Sequence, residues 1–191
     1  MYILGISGSP RIGGNTETLL DKALLGAKKN GALTEKVILN QLKIVPCQEC
    51  EEVKDDGTCK IIDDFQPLYE KIKKADAIIL ASPIFFGSLS AQTKIMIDRF
   101  QCYWRYKYIL NKTELIAKKS AAFICVEASK RQSFLDNAKS IIKNFFATIN
   151  AEYKEELFAM GVDEKGAIRN RADLLKKAEK IGQNIISKKS S

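Results

Sequence analysis

The sequence contains no histidine among its 191 residues. That excludes Ser-His-Asp and Cys-His nucleophile systems, His-ligated zinc and His-ligated haem. No apolar run approaches the roughly 18–20 residues of a membrane span, and "MYILGISGSP" lacks the charged start of a secretory leader. The expectation is a cytoplasmic chain with no membrane partner. Gly-Lys-Ser/Thr and G-x-G-x-x-G are both missing, and "GISGS" has Ser9 where a nucleophile elbow requires glycine. A triphosphate P-loop, a dinucleotide fingerprint and a hydrolase nucleophile therefore fall away. Cysteine is sparse and odd in number, at five, which does not read as a disulfide framework.

What is present is an ordinary globular composition, 46% hydrophobic and 28% charged, of a length that suits one domain over residues 1–191. The 31 basic residues exceed the 23 acidic ones, giving +8. The lysines are spread along helical patterns such as "ADLLKKAEKIGQNIISKKSS", as on a solvated face. With no binding motif and no clustered aromatic platform, no nucleic-acid partner is expected. A positive field also attracts an anionic cofactor.

Apolar runs at Met1–Ile6, "TEKVIL" (34–39), "ADAIILASP", "KSAAFICVE" and "YKEELFAMG" predict five strands, several of the continuous kind that parallel sheets bury on both faces. Helical spacing predicts helices from Thr16 to the "KKNG" stop, from Asp64 to Lys73, over "SAQTKIMIDRF", from Phe134 to Ile149, and from Arg171 to Ile186. Five alternations of strand and helix imply an α/β fold, a doubly wound five-stranded parallel sheet with helices on both faces.

In such a sheet ligands bind beyond the carboxyl ends of the strands. The loop after the first strand, "ISGSPRIGGNTETLL", packs glycines and hydroxyls where a helix begins. Helix-start amides and the dipole attract a phosphate. Ser9, Asn15 and Thr16 add donors, Arg11 adds a charged fork, and glycines 8, 13 and 14 let the backbone approach an anion. A helix cap at Asn15 or Thr16 would account for only one or two of these residues. A second strand-to-helix loop, "SPIFFGSLSAQTKIMIDRF", offers Pro83, Ile84, Phe85, Phe86 and Gly87: apolar area, rings for stacking and exposed amides. Taken alone, Phe85 and Phe86 could equally be core residues. Taken together, the two loops describe a phosphate tail joined to a planar ring, as in FMN.

"GSPRIGGNTETLL" resembles the phosphate loop of the flavodoxin-like NAD(P)H-dependent FMN reductases, and "ASPIFFGSLSAQTKIMIDRF" resembles their isoalloxazine loop. "GVDEKGAI…LLKKAEKIG" is similar to the ending of their iron–sulfur flavoprotein branch. The likeness spans nearly the whole chain. It implies that Ser9, Arg11, Asn15 and Thr16 hold the phosphate, and that residues 83–87 line the ring. Phe85 stands where many relatives have tyrosine, and "VEASKR" replaces a common glycine pair, so Glu127, Ala128 and Ser129 could crowd or charge the ring.

The iron–sulfur members place four cysteines in a compact run. Cys47, Cys50 and Cys59 fit three of those places, while Val53 occupies the fourth. A four-iron cluster normally takes four thiolates, so no complete cluster is expected from this run without an external or distant ligand. Idle thiols or a Cys47–Cys50 redox pair are the other readings. Cys125 reads as packing, and Cys102 is left open. In "RFQCYWRYKYIL", Phe100, Tyr103, Trp104, Tyr106 and Tyr108 either pack the core or roof a flavin across a dimer.

The resemblance implies a flavoprotein oxidoreductase taking hydride from NADH or NADPH and passing electrons to a quinone, a flavin, a metal or a protein acceptor. It implies a homodimer or homotetramer. Hydride transfer to a flavin needs no side-chain acid or base, so no catalytic side chain and no metal ligand is assigned. An FMN electron carrier reduced by a protein partner is the alternative, and a colourless, flavin-free module is the third.

Overall fold

The computed structural model of the chain describes residues 1–50, 54, 56–112 and 115–185. The parallel strands are β1 (Tyr2–Ser7), β2 (Leu33–Ile38), β3 (Ala77–Phe85), β5 (Lys119–Glu127) and β6 (Ala151–Met160), in the spatial order β2-β1-β3-β5-β6. A two-residue strand, β4 (Ser88–Leu89), folds back antiparallel on the end of β3. The five expected strands are all present; β4 is the addition. Between them run α1 (Asn15–Lys29), α2 (Phe65–Lys74), α3 (Ala91–Arg99), the single turn α4 (Gln101–Trp104), α5 (Gln132–Thr148) and α6 (Ala172–Asn184). A π-helical turn over Arg105–Ile109 extends α4. Two of the sequence-based expectations, the end of the last helix at Ile186 and the place of Val53, lie outside the described residues.

Strand alternation divides the core in two. Ile3, Ile79, Ala81, Ala122 and Ile124 meet Leu20, Ala23 and Leu24 of α1 and Leu174, Ala178 and Ile181 of α6. Leu4, Ile6, Ile78, Leu80, Phe123 and Cys125 face α2, α3 and α5 on the other side. Cys125 is thus core, as expected. Phe100, Tyr103 and Tyr106 also belong to this second layer, whereas Trp104 and Tyr108 remain partly exposed. The periodic aromatic run therefore splits: three members pack and two stay at the surface.

The α1–α6 pair crosses closely. A Cβ added at Gly182 would lie 1.8 Å from the Ala23 carbonyl oxygen, and one at Gly26 would lie 2.0 Å from that of Glu179. At the other end of the sheet, buried Lys119 donates to the carbonyls of Ile72, Lys73 and Ala75 at 2.6, 3.1 and 2.6 Å. It satisfies acceptors at the end of α2 that the helix cannot pair itself. Burial pushes this ammonium down to about 8. Lys119→Met should lower stability by about 1–3 kcal/mol, because buried carbonyls lose their donor. A urea midpoint equal to that of the parent chain would refute this role.

Candidate functional site

The strand order reverses between β1 and β3, since β2 follows β1 in sequence but lies on its far side. The crevice at such a reversal is where open α/β sheets bind ligands. A groove opens there, beyond the carboxyl ends of the strands. Seven of the nine expected residues line it: Ser9, Arg11, Asn15, Thr16, Pro83, Ile84 and Phe85. Phe86 and Gly87 are not part of its wall.

The phosphate-loop expectation can be followed residue by residue. Gly14 precedes the first residue of α1, and no side chain caps that helix. The Thr16 side chain, 3% exposed, has no hydrogen-bond partner among the described residues. Ser9 Oγ accepts from the Arg11 N–H at 3.1 Å, bending the loop, and Arg11 Nη1 donates to the Asp163 carbonyl at 3.2 Å. Asn15 is more heavily committed. Its Nδ2 donates to the Glu164 carbonyl at 2.8 Å, and its Oδ1 accepts from the N–H groups of Gly166 and Ile168 at 2.9 and 3.3 Å. It fastens the turn after β6 to the start of α1. Glu17 in the same helical turn accepts from the Gly13 N–H and from Lys36 Nζ, at 2.7 and 2.6 Å. Burial opposes its charge, but these donors hold the carboxyl below its usual range.

The ring loop is a tight hairpin. Ile84 pairs with Leu89 and Phe85 with Ser88, leaving Phe86 and Gly87 at the tip with φ of +50° and +77°. Two successive positive φ values characterise a type I′ turn, where Asn-Gly is the favoured pair. Phenylalanine in that conformation is strained, and Phe86 is fully exposed. A Cβ at Gly87 would approach Phe134 Cδ1 to 2.9 Å, and Asn137 Nδ2 donates to the Gly87 carbonyl at 2.9 Å. The tip is thus held against α5.

A buried knot of hydroxyls joins the two loops. Ser90 Oγ donates to the Gly8 carbonyl at 2.6 Å, Thr93 Oγ1 to Ser82 Oγ at 3.1 Å, and Ser82 Oγ to the Pro83 carbonyl at 2.9 Å. Ser90 also caps α3 by accepting from the Thr93 N–H. These serines were visible in the sequence, but only as part of a small-residue loop.

The third loop, whose effect on the ring the sequence left open, contributes on one face only. Val126 and Ala128 line the groove. Glu127 follows the alternation of Cys125 toward the opposite face, is 3% exposed, and accepts from Ser129 Oγ. Its charge is therefore turned from the groove wall. A fourth loop stood out in the sequence only as a family likeness and not as part of the site: Val162, Asp163 and Lys165, after β6, complete the wall, and Lys165 adds a cation. The signal was "GVDEKG" at the end of the last strand, a carboxyl-end loop with a lysine and glycine-freed amides.

Residues 1–160 match the family model described as NADPH-dependent FMN reductase. Among curated relatives, the chain is 46% identical over 99 residues to iron–sulfur flavoprotein MJ1083 of Methanocaldococcus jannaschii, covering 52% of this chain and 51% of that protein. It is 31% identical over 100 residues to YwqN of Bacillus subtilis, a putative NAD(P)H-dependent FMN-containing oxidoreductase, covering 52% of each. The chain matches about half the length of these relatives. Among solved structures, a flavone reductase superposes with a TM-score of 0.76 at 23% identity, over 97% of this chain and 62% of that one. The NAD(P)H:quinone oxidoreductase of Methanothermobacter marburgensis gives 0.72 at 15% identity, over 100% and 98%. These structural likenesses speak to the flavodoxin-like fold. With the family match covering all five parallel strands, β4 and both glycine-bearing loops, the chain belongs to the NADPH-dependent FMN reductase family.

Proposed function

We propose that the groove binds FMN and that the protein is an oxidoreductase using NAD(P)H as hydride donor, with a quinone, a flavin, a metal or a protein as electron acceptor. The observation that carries this is the convergence of the uncapped start of α1, Ser9, Arg11 and Thr16 with Pro83, Ile84 and Phe85 at the reversal of strand order. The groove holds about 140 Å³, below the ~300–1,000 Å³ of enclosed small-molecule pockets. That suits a phosphorylated tail, with the ring resting outside on the exposed face of the Phe85–Gly87 hairpin.

The chain's own groups then have distinct tasks. First-turn amides of α1, Thr16 and Arg11 hold the anionic end. Asn15 keeps the 163–168 turn, with Lys165, closed over it. The hairpin amides and Phe85 position the ring, and the hydroxyl knot fixes the spacing between tail and ring. FMN, when bound, supplies the hydride-accepting centre, so no side-chain acid or base is required. A homodimer or homotetramer fits this reading, because Phe86 at the hairpin tip is otherwise bare to solvent; residence in the cytoplasm is proposed with it.

The purified protein should be yellow, with one FMN per chain, and should oxidise NADH or NADPH steadily with menadione or ferricyanide present. Bound FMN without that turnover would favour the electron-carrier reading. Thr16→Val should weaken FMN binding about tenfold, since an unclaimed hydroxyl is lost without disturbing other contacts. Fluorescence titration giving the parental Kd would remove Thr16 from the site.

A further inference from the structure

Glu17 is a carboxylate, 6% exposed, in the first turn of α1. An anionic tail at that helix start would meet it as a like charge. Its bonds show how the charge is tolerated. Oε2 accepts from the Gly13 N–H at 2.7 Å, and Oε1 accepts from Lys36 Nζ at 2.6 Å. Lys36 reaches over from β2 and also pairs with Asp21, one helical turn further along α1, at 2.8 Å. Lys165, on the groove wall, adds to the field that holds the Glu17 carboxyl low.

The Gly13 bond has a geometric consequence. Residues 11–14 form a tight turn, closed by the Gly14 N–H on the Arg11 carbonyl at 3.1 Å, with Gly13 at a φ of +67°. Glu17 fastens this turn, and Arg11 with it, to the helix. That is the acidic half of a capping box, which satisfies a donor at the helix entry. The other half is missing. Gly14 has no side chain to accept from the first-turn amides, so they stay open to an anion.

We propose that Glu17, its charge cancelled by Lys36, is a positioning residue that sets the loop for a phosphomonoester and so favours FMN over unphosphorylated riboflavin, a role that rests on FMN binding in the groove. Glu17 holds the 11–14 turn in the form that leaves the helix-start amides free. Lys36 keeps that clamp from repelling the phosphate. Without Lys36 the buried carboxylate would oppose the phosphate and compete with it for Lys165. The flavin ring takes no part, so the effect is confined to the phosphorylated end.

The test is fluorescence titration of the full chain with FMN and, separately, with riboflavin. Lys36→Met should weaken FMN binding about tenfold and shift riboflavin by about twofold at most. Glu17→Gln should stay within about threefold of the parent for FMN, because its amide oxygen still accepts from Gly13. Adding Glu17→Gln to Lys36→Met should recover most of the loss, since no lone carboxylate remains. Should Lys36→Met fail to fold, Glu17→Ala decides beside Glu17→Gln: alanine, with no acceptor, must weaken FMN about tenfold while riboflavin holds. The inference is overturned by parental FMN affinity in Lys36→Met, by a double variant no better than Lys36→Met, or by equal losses for FMN and riboflavin. Parental FMN affinity in Glu17→Ala overturns it as well. Failure of the flavin reading is distinct: the parent chain itself then takes up no FMN, and both fall together.

Discussion

Arg99→Met should destabilise the protein by about 3–5 kcal/mol, the scale of breaking a buried ion pair on one side. Arg99 is 1% exposed, and every face of its guanidinium is used. Nη1 donates to Asp63 at 2.6 Å and to the Val45 carbonyl at 2.8 Å; Nη2 donates to the Ile61 carbonyl at 3.0 Å; the plane lies 4.7 Å from the Phe65 ring centroid. Methionine matches the stem but strands two carbonyls and a carboxylate. Val45, Ile61 and Asp63 would lose their shared anchor to α3. Burial opposes the Asp63 charge, but Arg99 and the N–H groups of Val45 and Phe65 hold its carboxyl below the usual range. A carboxyl lowered on folding contributes stability above its unfolded pKa, and loses it as pH falls through the folded one. That acid-side loss should shrink in Arg99→Met. Denaturant midpoints measured at neutral and acid pH check both statements. Adding Asp63→Leu to Arg99→Met should recover part of the loss, because an apolar pair replaces a lone buried charge. A single variant as stable as the parent would show that the arginine is dispensable.

Arg99 also marks the limit of what the sequence could say. In "IMIDRF" it occupies a helical position that looks solvent-facing, and its partners lie 36–54 residues away. Only the placement of Val45, Ile61 and Asp63 against α3 makes it internal. The strands were legible for the opposite reason. Continuous apolar runs such as "AIIL" and "AAFICV" admit few solutions other than a doubly covered sheet, and the observed bounds fall within two residues of those read. β4 was not legible, because Phe-Gly breaks the turn rule that would announce a two-residue hairpin.

The site shows the same division. Ser9, Arg11, Thr16 and Pro83–Phe85, which line the groove, stood out because each lies in a loop whose local chemistry is unusual. Asn15 was read as a donor to an anion, yet its amide is shared with a turn about 150 residues downstream. Polar pattern identifies a hydrogen-bonding residue but not its partner. Lys165 and Asp163 were missed since their contribution depends on β6 ending beside the same groove. Position alone left open whether Glu127 faces the groove, and the period-two alternation of β5 places it on the other face from Val126 and Ala128. In "RFQCYWRYKYIL", Phe100, Tyr103 and Tyr106 recur at spacings of three and face the core, while Trp104 and Tyr108 are four apart on the outer side. Helical periodicity contained that split.

The second large effect is expected at Gly8. This residue ends the first strand's run, donating its N–H to the Ala81 carbonyl at 2.7 Å and accepting from Ser90 Oγ at 2.6 Å. A Cβ there would stand 1.8 Å from Thr93 Oγ1 and 3.2 Å from Ser90 Oγ, so even alanine cannot enter without displacing α3 or the phosphate loop. Overpacking of this kind costs about 1–3 kcal/mol in stability. The functional cost should be larger, since the two loops proposed to hold tail and ring are spaced by this contact. Gly8→Ala is expected to weaken FMN binding about a hundredfold, or ~2.8 kcal/mol, while the chain still folds. Adding Thr93→Ala removes the colliding hydroxyl and should return part of the affinity, a coupling that independent sites would not show. Equilibrium dialysis of FMN against both variants measures it. Parental affinity in Gly8→Ala would mean that the spacing of the two loops does not govern cofactor binding.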